Sequence, residues 1–147
     1  MITKISEVLK ETGHSIDSVA PNAAVIEAVR VMAQSKRNIG AVVVMDKDQA
    51  VGIFTESDCM KRVIFKNRST EETLVKEVMT SKVVFINADD SVTRAVAIMT
   101  ENNFRLLPVL DNKKVVGLVR YYDLVKRIVN DQKEMIKGLT EYIELSY

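Results

Sequence analysis

The stretch VGIFTESD, residues 51–58, decides the fold because it is repeated as VGLVRYYD at residues 116–123. The glycines of the two copies, Gly52 and Gly117, lie 65 positions apart. Each copy has a short apolar segment typical of a strand, followed by a turn and the start of a helix with an acid in its first turn. The chain is therefore predicted to contain one structural unit twice.

The repetition extends well beyond this motif. At the same offset, residues 39–63 align with residues 104–128 without a gap. Further upstream the offset becomes 67, so that residues 25–32 match residues 92–99. The first copy therefore carries two extra residues between its helix and its next strand, and they fall around Lys36 and Arg37.

The periodicity of apolar residues predicts the same order of elements in both copies. In the first copy we expect a short opening helix around residues 5–9, a strand at 16–19, a helix at 24–34, strands at 41–45 and 50–54, and a helix reaching residue 65. In the second copy we expect helices at 72–79 and 91–102, strands at 83–86, 106–110 and 115–119, and a final helix from 121 to about 143.

These elements predict an α/β (α+β) fold of two pseudo-symmetric repeats, each a small three-stranded sheet packed with helices. The repeats are expected at residues 1–68 and 69–147, the second with an extended C-terminal helix. A chain of this size buries roughly 68–70% of its unfolded surface, so the two repeats are expected to share one core.

Composition excludes several classes of function. The net charge is +1, from 21 basic and 20 acidic residues, which gives no platform for nucleic acid or for a membrane surface. One cysteine and one histidine leave the usual spacings of metal sites unfilled, and the single histidine is not placed for an arrangement of serine, histidine and acid, so we predict no metal and no enzymatic activity. The N-terminus lacks the apolar core of a signal peptide, and a cytoplasmic protein is expected.

The repeated order of elements, the motif GIFTESD and the preceding Leu107-Pro108-Val109 together resemble the cystathionine β-synthase (CBS) domain. Two such repeats resemble a Bateman module. The resemblance covers nearly the whole chain and leaves no room for an attached catalytic, channel or transporter domain. A stand-alone module is therefore expected.

Members of this family usually bind adenosine-containing ligands between paired repeats, and the resemblance implies a role for seven residues. Thr55, Ser57 and Asp58 would hold the ribose, Ile53 would lie against the adenine, Arg105 would contact phosphate, and a strand containing Val83 and Val84 would form an apolar wall. The implied ligand is AMP, ADP, ATP, NAD or S-adenosylmethionine, and no cofactor is required.

The chemistry of these side chains agrees with that assignment, but an alternative exists. A carboxylate accepts both hydrogen bonds of a cis-diol, and a guanidinium clamps a phosphate. Thr55 and Asp58 also have the spacing of a capping box, a purely structural role. In the second copy Arg120 replaces the capping hydroxyl, yet Asp123 is retained, which favours a ligand-binding role for the acid.

A second, weaker site is predicted from Asp123, Arg120 and Tyr122. It departs from the family pattern, because Tyr122 stands where Ser57 stands and Gly40 stands where Arg105 stands. A ligand there would need other phosphate contacts, such as Arg120 or the inserted Lys36 and Arg37.

The leading hypothesis is a sensor: the ligand bridges the repeats, changes their packing, and an unknown regulated protein detects the change. The alternative is a ligand-free dimeric scaffold that uses the C-terminal helix, and an enzyme acting on an adenine nucleotide is a third, weaker hypothesis. Because the apolar stripe of that helix continues past the repeat, we predict a homodimer. A monomer with the helix folded back over its own sheet is the alternative.

Overall fold

Two three-stranded sheets and six α-helices make up the computed structural model, which describes residues 2–146 and, for Ser146, the backbone only. The first part of the chain forms α1 (Ile5–Thr12), β1 (Ser18–Val19), α2 (Val25–Gln34), β2 (Ala41–Asp46), β3 (Gln49–Thr55) and α3 (Glu56–Asp58), which continues as a π-helix (Cys59–Ile64). The second part forms α4 (Val75–Val78), β4 (Ile86–Asn87), α5 (Val92–Asn102), β5 (Leu106–Asp111), β6 (Lys114–Arg120) and α6 (Tyr121–Ser146). The predicted fold class is confirmed.

Both sheets have the same topology. β1 runs parallel to β2 and β2 antiparallel to β3, and the same pairing holds for β4, β5 and β6. Val19 lies opposite Val44 in the first sheet, and Ile86 lies opposite Val109 in the second. These pairings reproduce the offsets of 67 and 65 found in the sequence, so the pseudo-symmetry extends to the strand register.

The first helix of each repeat packs on the sheet of the other repeat. Ile5, Val8 and Leu9 of α1 belong to the apolar cluster of the second sheet, while Val75 and Val78 of α4 belong to the cluster of the first. Main-chain hydrogen bonds support the exchange, because the N–H of Ile5 donates to Asp90 O at 2.9 Å and that of Val75 donates to Ala23 O at 2.8 Å.

The buried apolar side chains form two clusters, one for each sheet, where the sequence predicted one shared core. A few buried residues of the two sheets, Ala41, Val43 and Leu118, belong to neither cluster. The edge strands β3 and β6 touch each other, so the repeats are joined along these strands as well as by the exchanged helices. The division of the chain at residues 68 and 69 stays a prediction.

The helix expected at residues 72–79 is shorter in the structure. It covers only Val75–Val78, and Leu74 precedes it in an extended conformation. The carbonyls of Thr70 and Thr73 accept hydrogen bonds from the N–H groups that begin α2, Ile26 and Val25, both at 2.9 Å. Because these carbonyls bind outside their own segment, the helix cannot begin before residue 75.

The strand expected at residues 83–86 is also wrong, because β4 covers only Ile86–Asn87 and both Val83 and Val84 lie outside it. The reason is that Thr80 forms an antiparallel bridge with Ile53 of the first sheet. Between Thr80 and Ile86 the chain crosses from one sheet to the other, so this segment pairs with neither.

The repeated glycines allow the exchanged segments to approach the edge strands. A Cβ atom on Gly52 would overlap Met79 Sδ and lie 3.0 Å from Thr80 O, and a Cβ atom on Gly117 would lie 2.7 Å from Leu9 Cδ2. Residues 79 and 80, which follow α4, therefore occupy the space that a side chain at Gly52 would need. Leu9 of α1 occupies the space that a side chain at Gly117 would need.

We expect Gly52→Ala to lower the free energy of unfolding by about 1–3 kcal/mol, because the carbonyl of Thr80 cannot move away as a flexible side chain could. The matched control is Gly138→Ala in α6, where nothing lies within 4 Å of the added atom. That substitution should stabilise the protein by about 0.5–1 kcal/mol. Urea denaturation at one chain concentration measures both, and a neutral Gly52→Ala would contradict the proposed close approach.

Candidate functional site

A cleft of about 790 Å³ lies between the two repeats and brings all seven predicted residues together. The end of β3 and α3 form one side, residues 80–84 form a wall, and residues 103–107 of the second repeat close the other side. The predicted residues in its lining are Ile53, Thr55, Ser57, Asp58, Val83, Val84 and Arg105. The cleft is thus formed by both copies of the repeated unit.

The wall beside Ile53 is held by main-chain hydrogen bonds. The N–H of Ile53 donates to Thr80 O at 2.9 Å, and the N–H of Thr80 donates to Ile53 O at 2.8 Å. Val83 and Val84 then follow in the crossing segment, unpaired by either sheet, and both line the cleft. They supply the apolar wall that the sequence predicted, although not as a strand.

The motif at the start of α3 forms a complete capping box. Thr55 Oγ1 accepts a hydrogen bond from the N–H of Asp58 at 3.1 Å, and Asp58 Oδ2 accepts one from the N–H of Thr55, also at 3.1 Å. The structural alternative for these two residues is therefore confirmed. It accounts for why Asp58 follows Thr55 at this spacing whether or not a ligand binds.

The capping box does not use all the acceptor capacity of Asp58. Each carboxylate oxygen can accept two hydrogen bonds, and Oδ2 has its cap bond. Among the described residues, the partners of Oδ1 are distant, with Thr80 Oγ1 at 3.5 Å and Arg62 Nε at 3.8 Å. The Asp58 side chain is 13% exposed and lines the cleft, so it can accept further hydrogen bonds from a bound molecule.

The guanidinium of Arg105 has no partner within the part of the chain that the structure describes. Its side chain is exposed, lines the cleft, and makes no hydrogen bond or ion pair with residues 2–146. The other seven arginines all have partners: Arg30, Arg62, Arg68, Arg94, Arg120 and Arg127 pair with acids, and Arg37 donates to main-chain carbonyls. The unpaired guanidinium therefore lies in this cleft.

The predicted second site is arranged differently. Arg120 Nε donates to Asp123 Oδ2 at 2.8 Å and Arg120 Nη2 donates to Oδ1 at 3.0 Å, a bidentate pair. This hydrogen bonding to Asp123 raises the pKa of Arg120. In the sequence the retention of Asp123 favours a ligand-binding role, but its pairing with Arg120 explains it without a ligand.

A smaller cleft of about 470 Å³ adjoins the second motif. Arg120 and Tyr122 line it but Asp123 does not, so the three residues predicted for the second site do not face one cavity. The guanidinium of Arg120 lies 5.9 Å from the centre of the Tyr122 ring. At Gly40 the backbone has a φ of +73° and a Cβ atom would lie 2.8 Å from the Glu56 carboxylate carbon, so a counterpart of Arg105 at this position would be strained.

Several residues of the first cleft were not predicted from the sequence. Thr80, Lys61 and Lys82 line it, and so does Phe104 next to Arg105. Lys61 could have been found from the motif, because it lies one helical turn after Ser57. Thr80 and Lys82 could not, because the short spacing between α4 and β4 gives no sign that the chain crosses between sheets there.

Other candidate chemistry is not supported by the described residues. No group of three or more histidine, cysteine or acidic residues there could hold a metal ion. Burial raises the pKa of the Cys59 thiol, which packs against the apolar cluster of the first sheet. None of the described helices is both long enough and apolar enough to span a bilayer.

Comparison with known proteins gives consistent matches. The model of the CBS domain matches twice, at residues 5–64 and 75–130. A curated relative, the CBS domain-containing protein CBSX3, mitochondrial, from Arabidopsis thaliana, is 33% identical over 99% of this chain and 74% of its own length.

Solved structures match over most of the chain. A protein with CBS domains from Burkholderia ambifaria is 39% identical, with a TM-score of 0.80 over 88% of this chain and 96% of the other. The CBS domain pair of protein MJ0100, determined in complex with 5′-methylthioadenosine and S-adenosyl-L-methionine, is 25% identical, with a TM-score of 0.75 over 90% of this chain and 99% of the other.

The capping geometry predicts different contributions to stability from the two hydroxyls of the motif, those of Thr55 and Ser57. Without any ligand, Thr55→Ala should lower the free energy of unfolding by about 1 kcal/mol, because the N–H of Asp58 loses its partner. Ser57→Ala should change it by less than about 0.5 kcal/mol, because Ser57 is exposed and its hydroxyl has no partner among the described residues. Thermal unfolding of both variants is the measurement, and equal losses would mean that Thr55 is not the cap.

Proposed function

This chain belongs to the CBS domain family, and on that premise we propose that its first cleft binds an adenosine-containing ligand and that a partner protein detects the occupancy. The two repeats form a CBS domain pair, which is a regulatory module. In this proposal Thr55, Ser57 and Asp58 hold the ribose, Ile53 and the wall at Val83 and Val84 enclose the base, and Arg105 binds phosphate.

The observation that carries the proposal is the unpaired guanidinium of Arg105 opposite the partly free carboxylate of Asp58. One is a strong bidentate donor to phosphate, and the other accepts hydrogen bonds from the hydroxyls of a sugar. A molecule that satisfies both carries a diol and an anion, and a further apolar part of it can lie beside Ile53. A nucleoside phosphate has these three features.

The charge of the cleft narrows the range of possible ligands. Lys61, Lys82 and Arg105 are cationic, and Asp58 and Glu56 are anionic, so the lining has a small positive excess. This favours AMP, ADP, ATP or NAD, whose phosphates are anionic. The MJ0100 domain pair binds S-adenosyl-L-methionine, which supports an adenosyl ligand of some kind here and keeps that sulfonium compound in the test panel.

A route for transmitting occupancy follows from the connection of the wall. Residues 80–85 link α4, which packs on the first sheet, with β4 of the second sheet. A ligand that binds this wall and Arg105 at once contacts both repeats and favours the relative packing in which both contacts are made. We propose that this change in packing, with no catalysis, is the output.

The alternative function is a ligand-free dimeric scaffold that uses α6. After Val129 the apolar face of this helix is largely open to solvent, because Met135, Ile136, Leu139 and Ile143 are each more than half exposed. The helix does not fold back over its own sheet, as the monomer alternative required. A sensor and a dimer are compatible, so we propose a homodimer in both cases. The cytoplasm stays the proposed location, although one relative is named as mitochondrial.

The first test compares AMP with adenosine by calorimetry. Arg105→Ala should weaken AMP binding by about 1.5–3 kcal/mol, roughly 10- to 100-fold in Kd, because a charged hydrogen-bonding partner of the phosphate is lost. Binding of adenosine should change little, because the guanidinium is proposed to contact neither base nor sugar.

The matched control for this experiment is Arg94→Ala, which removes an arginine that is 67% exposed in its side chain and lies outside the cleft. It should leave both ligands unaffected. An equal loss for AMP and adenosine in Arg105→Ala would reject the phosphate contact.

A thermal-shift panel of AMP, ADP, ATP, NAD and S-adenosylmethionine that moves no melting temperature would reject the ligand-binding proposal and favour the scaffold, since a ligand at 100 times its Kd stabilises by about 2.7 kcal/mol.

Light scattering tests the dimer. The double variant Ile136→Glu/Leu139→Glu should dissociate it, because two charges would be buried without partners. Lys137→Glu changes the net charge by the same amount beside this face and should leave it intact. A chain ending at Lys133 should also be monomeric, and it keeps Asp131, whose carboxylate accepts a hydrogen bond from Thr3 Oγ1. A monomeric wild type, or a truncated chain that is still dimeric, would contradict the role of α6.

A further inference from the structure

Pseudo-symmetry assigns every part of the first cleft a counterpart on the other side of the module. By the offset of 65, Ile53 corresponds to Leu118, and residues 55–58 correspond to residues 120–123. By the offset of 67, which the strand register reproduces, the wall at residues 82–84 corresponds to residues 15–17. The counterpart of the base-binding region is therefore the gap between Ser15 and Leu118.

Arg37 spans this gap. Its Nη1 donates to Ser15 O at 3.1 Å, and its Nη2 donates to Leu118 O at 3.2 Å. Each carbonyl belongs to one of the two walls, so the planar guanidinium connects them at the level where the first cleft would hold the base. In the first repeat, the matching walls are joined directly by the bridge of Thr80 and Ile53, and the space beside them stays open.

The charged residues that influence the pKa of Arg37 come from both sides of this gap. Burial lowers its pKa, while the nearby acids Asp123 and Asp17 raise it and Arg120 lowers it further. The arginine therefore lies among the second motif and the segment that corresponds to Val84. The two carbonyls that accept its hydrogen bonds hold the guanidinium in place in the absence of any ligand, and the two acids attract it at longer range.

The other polar groups of the second site are also occupied from within the chain. Both oxygens of Asp123, the counterpart of the proposed ribose acceptor, are bound by Arg120. Neither Asp123 nor Arg37 lines the smaller cleft that remains near Tyr122. Arg120 thus binds the acceptors that a ribose would need, and Arg37 links the two walls that would enclose a base.

The sequence explains why only one of the two sites is closed. Arg37 lies in the two residues that the first copy has gained between its helix and β2. The corresponding loop of the second copy, around Asn103 and Phe104, lacks this insertion and lines the open first cleft. The longer loop reaches into the second cleft, whereas the shorter loop leaves the first one free.

We propose that Arg37 is a built-in occupant of the second cleft that links its two walls and restricts the module to one adenosyl ligand per chain. The binding arm of this proposal, which concerns the number of ligands per chain, rests on the proposed function because it assumes that the open cleft takes a nucleotide. Its structural arm, that the guanidinium bridges the walls, does not depend on any nucleotide.

The binding arm is tested by titration with AMP. The wild-type chain should bind one AMP, and Arg37→Ala/Arg120→Thr, which removes both internal occupants and restores a threonine at the cap, should bind a second. The matched control Arg30→Ala/Arg120→Thr keeps Arg37 and changes an exposed arginine of α2, so it should still bind one. Two AMP molecules on the wild type, or only one on the double variant, would overturn the proposal.

The structural arm uses the ligand-free protein. Arg37→Ala should lower the melting temperature by about 3 °C or more relative to Arg30→Ala, because two carbonyls lose a charged donor. Methylguanidinium at millimolar concentration should restore part of this loss in Arg37→Ala and nothing in Arg30→Ala. If the two variants melt together and neither responds, Arg37 does not bridge the walls. If no adenosyl compound binds while this rescue is observed, the proposed nucleotide function fails and the bridging role of Arg37 stands.

Discussion

Each sheet can receive a helix from the other repeat only because its edge strand carries a glycine at the point of closest approach. At Gly52 a Cβ atom would overlap Met79 Sδ and lie 3.0 Å from Thr80 O, and at Gly117 it would lie 2.7 Å from Leu9 Cδ2. The bridge between Thr80 and Ile53 needs the same close approach. That bridge forms one wall of the first cleft, so the architecture of the exchange and the architecture of the site depend on one steric condition.

The repeats are alike in backbone and unlike in the use of their charges. In the first repeat the motif acid caps its own helix and keeps free acceptor positions, and the arginine opposite has no partner in the described chain. In the second repeat the motif acid is saturated by Arg120, and Arg37 connects the opposing walls. A duplicated unit has therefore diverged into one half whose polar groups point toward an open space and one half whose polar groups satisfy each other.

The sequence predicted what depends on local pattern. The uninterrupted apolar run at 41–45 identified β2, and the duplicated motif identified the strand and helix start that position Thr55 and Asp58. It could not predict what depends on distant partners: α4 is shortened because the carbonyls of Thr70 and Thr73 bind to α2, and Val83 lies outside any strand because Thr80 is held by the first sheet. The pairing of Arg120 with Asp123, at a helical spacing of three, was available from the sequence and was missed.

The C-terminal helix gives the module a mechanical property. At 1.5 Å per residue, the part of α6 beyond Asn130 extends for about 24 Å. Its base is held to α1 by Arg127, which pairs with Glu7 and Glu11, and to the segment before α1 by Asp131, which accepts a hydrogen bond from Thr3. The helix is thus fixed at one end on α1, and a rotation of about 5° about that end moves the far end of the helix by about 2 Å. A rearrangement between the repeats too small to alter either sheet would be displaced and enlarged at the far end of this helix.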